Sequence, residues 1–494
     1  MQIIKAIDNF LNAVTMYRLL LYGLIILSVI TLLMAGVGLI PFGVGQLALT
    51  LFIATSSGFI GHHFFKKIFH SVTNSESYLI TSLIIFFIIA PVSSPKDALI
   101  TFCAGLIAEA SKYLFAVEKK HIFNPVAFSM FVIGLLGFGN SIWWVGSAAT
   151  LPFVLIIGML VVRKIRKIDL LLVFIVTALI TVTYSNFKND VAASESVFQT
   201  IVSWPLIFLG TIMLTEPLTS PGTRNLYLVY GAIVGLFFGL QFHIGPFFST
   251  PELAIIIGNL FAYAVGPKQK LFLTLKKKTQ LAPDIYEFSF ENNRRPRFLP
   301  GQYLEWTIPE ENSDSRGNRR YFTVASSPAE TELKLGVKIT KERSSSFKKK
   351  LSALNKGDRI IASQFSGDFI LPNDPEKKLV FIAGGIGITP FRSMIKHLLD
   401  TRESRDIVLY YAASNKNEFV YRDIFDNAGV KLGMKTFYLT ERLSHRILTE
   451  NVPDYKIRTY YLSGPNAMVE NYRKLLNGVG IKPHQIVTDY FPGF

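Results

Sequence analysis

Leu379-Val-Phe-Ile-Ala-Gly-Gly-Ile-Gly-Ile-Thr-Pro390 decides the reading of the C-terminal half. An apolar run of strand length leads into a glycine-rich turn, and Pro390 stands where the first turn of a helix tolerates proline. Glycine lets backbone approach a phosphate closely, and a strand before it and a helix after it give such a turn its meaning. The stretch predicts a parallel α/β unit holding a phosphate-bearing ligand, with Gly384, Gly385, Gly387, Thr389 and Pro390 as binding residues.

Upstream, residues 268–374 read as short strands and turns, with alternations such as Leu333-Lys-Leu-Gly-Val-Lys-Ile-Thr340. That pattern predicts a small antiparallel barrel. Residues 1–267 differ in kind. Half of the 494 residues are hydrophobic, mean hydropathy is positive, and the apolar excess lies before residue 267 in stretches of membrane-helix length. The expected architecture is a polytopic α-helical membrane domain over 1–267, a β-barrel domain over 268–374 and an α/β nucleotide-binding domain over 375–494.

Ten spans are expected, near residues 18–40, 46–62, 78–95, 97–117, 124–140, 143–163, 169–185, 200–216, 226–244 and 249–266. With both termini inside, Lys5, Arg18, Lys66, Lys67, Lys112, Lys119, Lys120, Arg163, Lys164, Arg166, Lys167 and Arg224 fall on the inner side, against Lys96 and Lys188 outside. The positive-inside rule then places the basic C-terminal half in the cytoplasm, against an anionic inner leaflet. No cleavable leader is expected, since the first apolar run is long enough to remain as a span.

The net charge of +16 is not accompanied by a basic-aromatic platform, so lipid rather than nucleic acid is the expected anionic partner. A single cysteine, Cys103, excludes a disulfide framework and a thiolate cluster within one chain, and no metal site is expected.

Two inner connections, residues 118–125 and 215–224, combine proline, polar groups and charge at span ends, where interrupted helices expose backbone groups to a ligand. The same prolines also serve simply to end helices. His121-Ile-Phe-Asn-Pro-Val-Ala-Phe128 and Thr215-Glu-Pro-Leu-Thr-Ser-Pro221 resemble segments of a family of membrane proteins found in the sodium-translocating NADH:quinone oxidoreductase and in the Rnf complex. The resemblance implies a ten-helix electron carrier with FMN or riboflavin in the membrane domain, Asn124 and Glu216 as flavin candidates, and subunits of a larger electron-transport complex as partners. It also implies an integral protein of a bacterial inner membrane. Members of that family attach FMN to the threonine of a Ser-Gly-Ala-Thr loop, which this interval lacks. Its nearest string, Gly146-Ser-Ala-Ala-Thr150, has alanine where the motif has glycine.

Arg320-Tyr-Phe-Thr323, Pro300-Gly-Gln-Tyr303, Ser344-Ser-Ser-Phe347 and Tyr461-Leu-Ser-Gly-Pro465 resemble elements of the ferredoxin-NADP+ reductase family. This implies FAD and NAD(P)H as cofactors. Arg320, Gly301, Gln302, Ser345 and Ser346 would serve the flavin and its pyrophosphate, Phe322 would stack on the isoalloxazine, and Thr323 would approach its N5. Ser463, Gly464 and Pro465 would lie beside the nicotinamide, with Phe491 or Phe494 near the flavin. Thr323 and Ser463 are the two catalytic candidates. Ser414 and Arg422 are placed to hold a 2′-phosphate, and the choice between NADH and NADPH stays open.

The expected activity is NAD(P)H oxidation through FAD, with electrons passed through a membrane flavin to a quinone, an outer-face acceptor or a redox protein. Two other readings stand beside it. A haem-containing ferric-reductase or NADPH-oxidase-like protein needs paired axial histidines, whereas His62, His63, His70 and His121 all fall on the inner side and His243 alone near the outer side. A redox-sensing transporter would use Glu109 or Glu216 for ion coupling.

Overall fold

A computed structural model describes residues 6–8, 10–11, 14–69, 76–117, 120–139, 141–245, 247–266, 271–292, 296–308, 318–340 and 344–491. The chain separates into two compact units, Met1–Gln269 and Lys270–Phe494. Lys5, His70, Glu118, Lys119, residues 267–270 and Phe494 lie outside the described residues.

The N-terminal unit is helical. Its helices are α1 (Met16–Gly36), α2 (Val44–Ile68), α3 (Glu76–Ile88), α4 (Pro95–Leu114), α5 (Pro125–Leu135), α6 (Leu151–Ile165), α7 (Ile168–Phe187), α8 (Ala193–Val202), α9 (Leu206–Met213), α10 (Arg224–Gly239) and α11 (Pro251–Val265). Hairpin β1–β2 (Ala116–Val117, Lys120–His121) precedes α5, and β3–β4 (His243–Ile244, Phe247–Phe248) precedes α11. Each of the ten expected spans overlaps a helix, or the pair α8 and α9, bent by 60°. Among the described residues, α1, α2 and α7 are long and apolar enough to cross a membrane, and the bent pair passes the same test as one unit. Residues 209–213 in α9 form a π-turn next to that bend.

Small residues set the helix packing. A Cβ on Gly235 of α10 would lie 2.8 Å from the Phe174 carbonyl oxygen of α7, and one on Gly239 would lie 2.5 Å from the Val182 nitrogen. The four-residue repeat Gly231, Gly235, Gly239 therefore brings the two backbones together. Thr181 and Ser185 then donate across the gap to the Gly235 and Gly239 carbonyls at 3.0 and 2.8 Å. Leu33, Phe52, Ile156 and Ile180 point outward, each more than three-fifths exposed, so the bundle carries large apolar groups on its outer surface.

The C-terminal unit has two lobes. The first is a six-stranded antiparallel sheet of β5 (Leu271–Ala282), β6 (Ile285–Glu291), β7 (Tyr303–Thr307), β8 (Arg319–Thr323), β9 (Leu333–Lys338) and β10 (Arg359–Ser366), ordered 8-7-10-5-6-9. Beyond the end of β8, the Ala325 N–H bonds the Lys334 carbonyl of β9 at 2.8 Å, which joins the two edges of this sheet. Helix α12 (Ser346–Ala353) closes one end with Phe347 and Leu351 buried among the inward residues.

The second lobe is a parallel sheet of β11 (Leu379–Gly384), β12 (Ile407–Ala412), β13 (Lys435–Leu439), β14 (Thr459–Pro465) and β15 (Ile486–Phe491), ordered 13-12-11-14-15. Helices α13 (Thr389–Thr401), α14 (Arg422–Leu432), α15 (His445–Asn451) and α16 (Asn466–Gly478) alternate with its strands. The apolar run at 379–383 is buried on both faces: Leu379, Phe381 and Ala383 join the cluster under α13, while Val380 and Ile382 join the one under α16. A strand covered on both sides has to be continuously apolar, as this one is.

Candidate functional site

The parallel sheet reverses its winding between β11 and β14, and the crevice at the carboxyl ends of those strands is where open α/β sheets take their ligands. Two of the predicted motifs meet there. Ala383 and Ser463 are in register across β11 and β14. The chain leaves β11 through a 3₁₀ turn at Gly385–Ile388 and enters α13 at Thr389, with Pro390 in its first turn. Gly385 has φ +53°, a conformation that favours glycine, and a Cβ on Gly387 would sit 2.4 Å from the Ser463 carbonyl oxygen. The turn thus rests directly on the Ser463–Gly464 backbone.

In the antiparallel lobe, Thr323 ends β8 opposite Tyr303, and Gly301 and Gln302 immediately precede the neighbouring strand. Gly301 has φ +96°, and a Cβ there would be 2.2 Å from the Phe369 carbonyl oxygen. Gln302 accepts the Leu299 N–H at 2.9 Å and donates to the Gly367 carbonyl at 3.4 Å. Phe322 packs on Phe347 with ring centroids 5.8 Å apart, and the Arg320 guanidinium lies 5.5 Å over the same Phe347 ring. Ser345 caps α12 by accepting the Lys348 N–H at 3.3 Å, and Ser346 is the first residue of that helix. A guanidinium and a helix N-terminus therefore flank one aromatic ring, an arrangement suited to an anion.

Two catalytic candidates share an unusual state. The hydroxyls of Thr323 and Ser463 are buried and have no hydrogen-bond partner among the described residues. Buried hydroxyls are normally satisfied, so each of these two has hydrogen-bonding capacity to spare.

The two lobes are clasped by residues that the sequence reading passed over. Arg392 on α13, 3% exposed, donates to the Ala325 carbonyl at 3.0 Å and to both carboxylate oxygens of Glu330. Ser393 donates to the Ser326 carbonyl at 2.7 Å. Burial raises the Glu330 carboxyl, but the Arg392 bonds and charge outweigh it and hold Glu330 below its ordinary range. The segment just beyond Thr323 is thus fastened to the helix that follows the glycine-rich turn.

Arg422 opens α14 with its guanidinium 4.7 Å from the Tyr438 ring, and Ser414 lies in the loop after β12. Phe491 pairs with Pro465 at the end of β15, and its side chain lies outside the described residues.

In the helical unit the two interrupted connections come together. Asn124 caps α5 by accepting from Val126 and Ala127, and its amide donates to Glu216 Oε2 at 2.8 Å. Thr219 donates to the same oxygen, while His121 Nε2 lies 3.5 Å from Glu216 Oε1. Asn259 of α11 completes the knot, accepting the Asn124 N–H at 2.7 Å and donating to the Thr219 carbonyl at 3.1 Å. Asn259 was missed because one amide inside an apolar helix has no pattern of its own.

Thr150 is fully buried and donates to the Val145 carbonyl and, at 3.1 Å, to the Ser147 carbonyl. Gly146 beside it rests on the Trp204–Pro205 backbone. This string serves close packing in the structure. His62 and His121 each face a carboxylate, Glu109 and Glu216 respectively.

Comparison with known proteins finds separate matches for the two halves of the chain. Residues 108–267 match the NQR2, RnfD, RnfE family, and residues 381–474 match the oxidoreductase NAD-binding domain. The chain is 26% identical over 243 residues to a flavohemoprotein of Bacillus cereus, covering 44% of this chain and 60% of that protein. It is 27% identical over 220 residues to the stachydrine N-demethylase reductase subunit Stc4 of Rhizobium meliloti, covering 41% of this chain and 61% of the relative. The chain thus spans about three fifths of the length of these relatives.

Among solved structures, the Amycolatopsis cytochrome P450 reductase GcoB aligns with 24% identity and TM-score 0.41, over 46% of this chain and 71% of that one. The ferredoxin-NADP+ reductase of Plasmodium falciparum aligns with 18% identity and TM-score 0.39, over 45% and 97%. One chain thus joins a region similar to an oxidoreductase NAD-binding domain to an apolar helical region similar to the NQR2, RnfD, RnfE family.

Proposed function

We propose that this chain is a membrane-bound NAD(P)H dehydrogenase. Its C-terminal unit oxidises NAD(P)H through FAD, and its helical unit conducts the electrons onward to a quinone, an outer-face acceptor or a partner redox protein. The observation that carries the reading is the pair of buried hydroxyls of Thr323 and Ser463, at or near the carboxyl ends of β8 and β14 and without a hydrogen-bond partner among the described residues.

Bound FAD would supply the acceptor for hydride and the means to release electrons singly. The residues supply the rest. Arg320 and the N-terminus of α12 hold the pyrophosphate, and Phe322 covers the ring system. The Thr323 hydroxyl would serve the N5 edge of the flavin. Gly384, Gly385 and Gly387 admit the dinucleotide backbone, with Thr389 and Pro390 opening the helix beside it, and Ser463 with Gly464 and Pro465 positions the nicotinamide. The Arg392 and Ser393 clasp keeps the two lobes in one geometry, which matters because hydride transfer depends on donor–acceptor distance.

In the helical unit, Asn124 and Glu216 form the site of a bound flavin. Ten crossings, with α8 and α9 acting as one interrupted span, place both termini and the reductase unit on the cytoplasmic side of a bacterial inner membrane. The Thr150 hydroxyl is engaged by the Val145 and Ser147 carbonyls, which favours flavin held in this unit without a bond to that residue.

The test is stopped-flow reduction of the purified protein. Thr323→Ala and Ser463→Ala should retain flavin yet slow its bleaching by NAD(P)H about tenfold, the cost of about one hydrogen bond. Unchanged bleaching rates in both variants would contradict the assignment.

A further inference from the structure

A second polar cluster lies inside the helical bundle, apart from the Asn124–Glu216 knot. Glu109 on α4 is fully buried, and Lys112, one turn further on, donates to its Oε1 at 2.5 Å. Its other oxygen, Oε2, has no hydrogen-bond partner among the described residues and lies 3.7 Å from Nδ1 of His62 on α2. His62 is itself 3% exposed. Gly61 beside it makes the approach feasible, since a Cβ there would be 3.0 Å from that of Glu109.

Among the described residues, few titratable groups surround the pair. From α2 they are His63, whose ring is 5.4 Å from His62, and Lys66; from α3 they are Tyr78, 5.1 Å from His62, and Glu76. Glu76 is tied to Arg18 of α1 at 2.5 Å. Lys112 also donates to the Ser77 hydroxyl at 3.1 Å, and its side chain is 11% exposed, so this end of the cluster is the one that meets water.

The Glu109–Lys112 pair is neutral as it stands, and its lysine already occupies the place a bound cation would take. What remains open is one carboxylate oxygen aimed at an imidazole. We propose that His62 and Glu109 form a proton-binding site that loads one proton when an electron enters the helical unit, which rests on the reading of that unit as an electron carrier. The proton comes from a hydronium ion of the bulk solvent at the Lys112 end: its O–H bond breaks, leaving water, as an N–H bond forms on the imidazole. Both ring nitrogens then carry hydrogen, and Nδ1 donates to Glu109 Oε2. No other bond changes, and the added positive charge offsets the incoming electron in a medium that screens charge poorly.

The full chain in lipid nanodiscs is reduced anaerobically with NAD(P)H while a pH-indicator dye reports proton uptake, at a series of values from about pH 5 to 8. Wild type should take up about one more proton per chain than His62→Gln, with the same rate of ferricyanide reduction in both. Glu109→Gln, which removes the charge facing the imidazole, should shift the extra uptake to lower pH. Equal uptake in wild type and His62→Gln at every pH would overturn the proposal.

Infrared difference spectra with labelled histidine give a second readout. Reduction should convert one imidazole band to imidazolium in wild type, and a spectrum without that conversion overturns the proposal even where His62→Gln fails to assemble. Failure of NAD(P)H to reduce any chromophore of the helical unit would refute the electron-carrier reading. In that event an imidazolium band that titrates in the resting wild type and is missing from His62→Gln still supports the site, and its absence rejects it.

Discussion

Glu330→Ala should be one of the most damaging single changes in the C-terminal unit, although Glu330 touches neither nucleotide motif. Its carboxylate holds the Arg392 guanidinium through both oxygens and accepts the Ser327 N–H at 2.7 Å. Truncation leaves a guanidinium that is 3% exposed with the Ala325 carbonyl as its remaining hydrogen-bond acceptor among the described residues. Removing one partner of a buried pair costs about 3–5 kcal/mol, mostly because the other charge stays buried without compensation. Hydrogen exchange across residues 379–398 of the full chain reads this directly. Amides that open with the unit should exchange about a hundred- to several-thousand-fold faster.

The double variant Glu330→Ala/Arg392→Met should recover part of the loss, since it removes the stranded charge. The effect has a pH signature as well. Because the folded Glu330 carboxyl sits below its ordinary value, its contribution is complete above about pH 4.3 and is lost as pH falls through the lower, folded value. Wild type and Glu330→Ala should therefore converge in acid. A loss under tenfold at neutral pH, or convergence at high pH instead, would refute the reasoning.

Other outcomes follow from the same geometry. Gly387→Ala forces a methyl to within 2.4 Å of the Ser463 carbonyl oxygen and should cost about 1–3 kcal/mol in nucleotide binding, read as a raised KM for NAD(P)H with flavin content unchanged. Asn124→Ala and Glu216→Gln should leave ferricyanide reduction by NAD(P)H intact while slowing reduction of the membrane acceptor at least about tenfold, a split read by assaying both acceptors on one preparation. Arg458 lowers the Asp454 carboxyl to about 2 through its hydrogen bond, so whatever this pair adds to stability is complete above about pH 4 and fades as pH falls toward 2; Arg458→Met should remove that acid dependence from thermal unfolding curves.

The legible parts of this chain are those written in contiguous residues. The run from Leu379 to Pro390 carries its strand, turn and helix signals within a dozen positions, and Ser345 announces a helix start because a cap acts on residues a turn away. Asn124 and Glu216 were also legible, as two proline-bearing breaks in apolar sequence. Their hydrogen bond depends on packing and could not be read. Asn259 stayed hidden inside α11, and Arg392 looked like any helical arginine on a solvated face until the fold buried it. His62 and Glu109 were each visible as polar residues in apolar surroundings. Their approach depends on Gly61, whose role is the absence of a side chain and leaves no mark in a hydrophobicity pattern. The bend between α8 and α9 was passed over, although Pro205 in the break is the residue type that interrupts helices.

The central claim is most directly tested by the optical spectrum of the purified full chain, oxidised and then reduced with NADH or NADPH, followed by denaturation. The account predicts flavin bands that bleach on reduction, no reducible Soret band, and all flavin released from the unfolded chain. A Soret band reduced by NAD(P)H would contradict the flavin-only path, and flavin retained after denaturation would contradict the buried, packing role of Thr150.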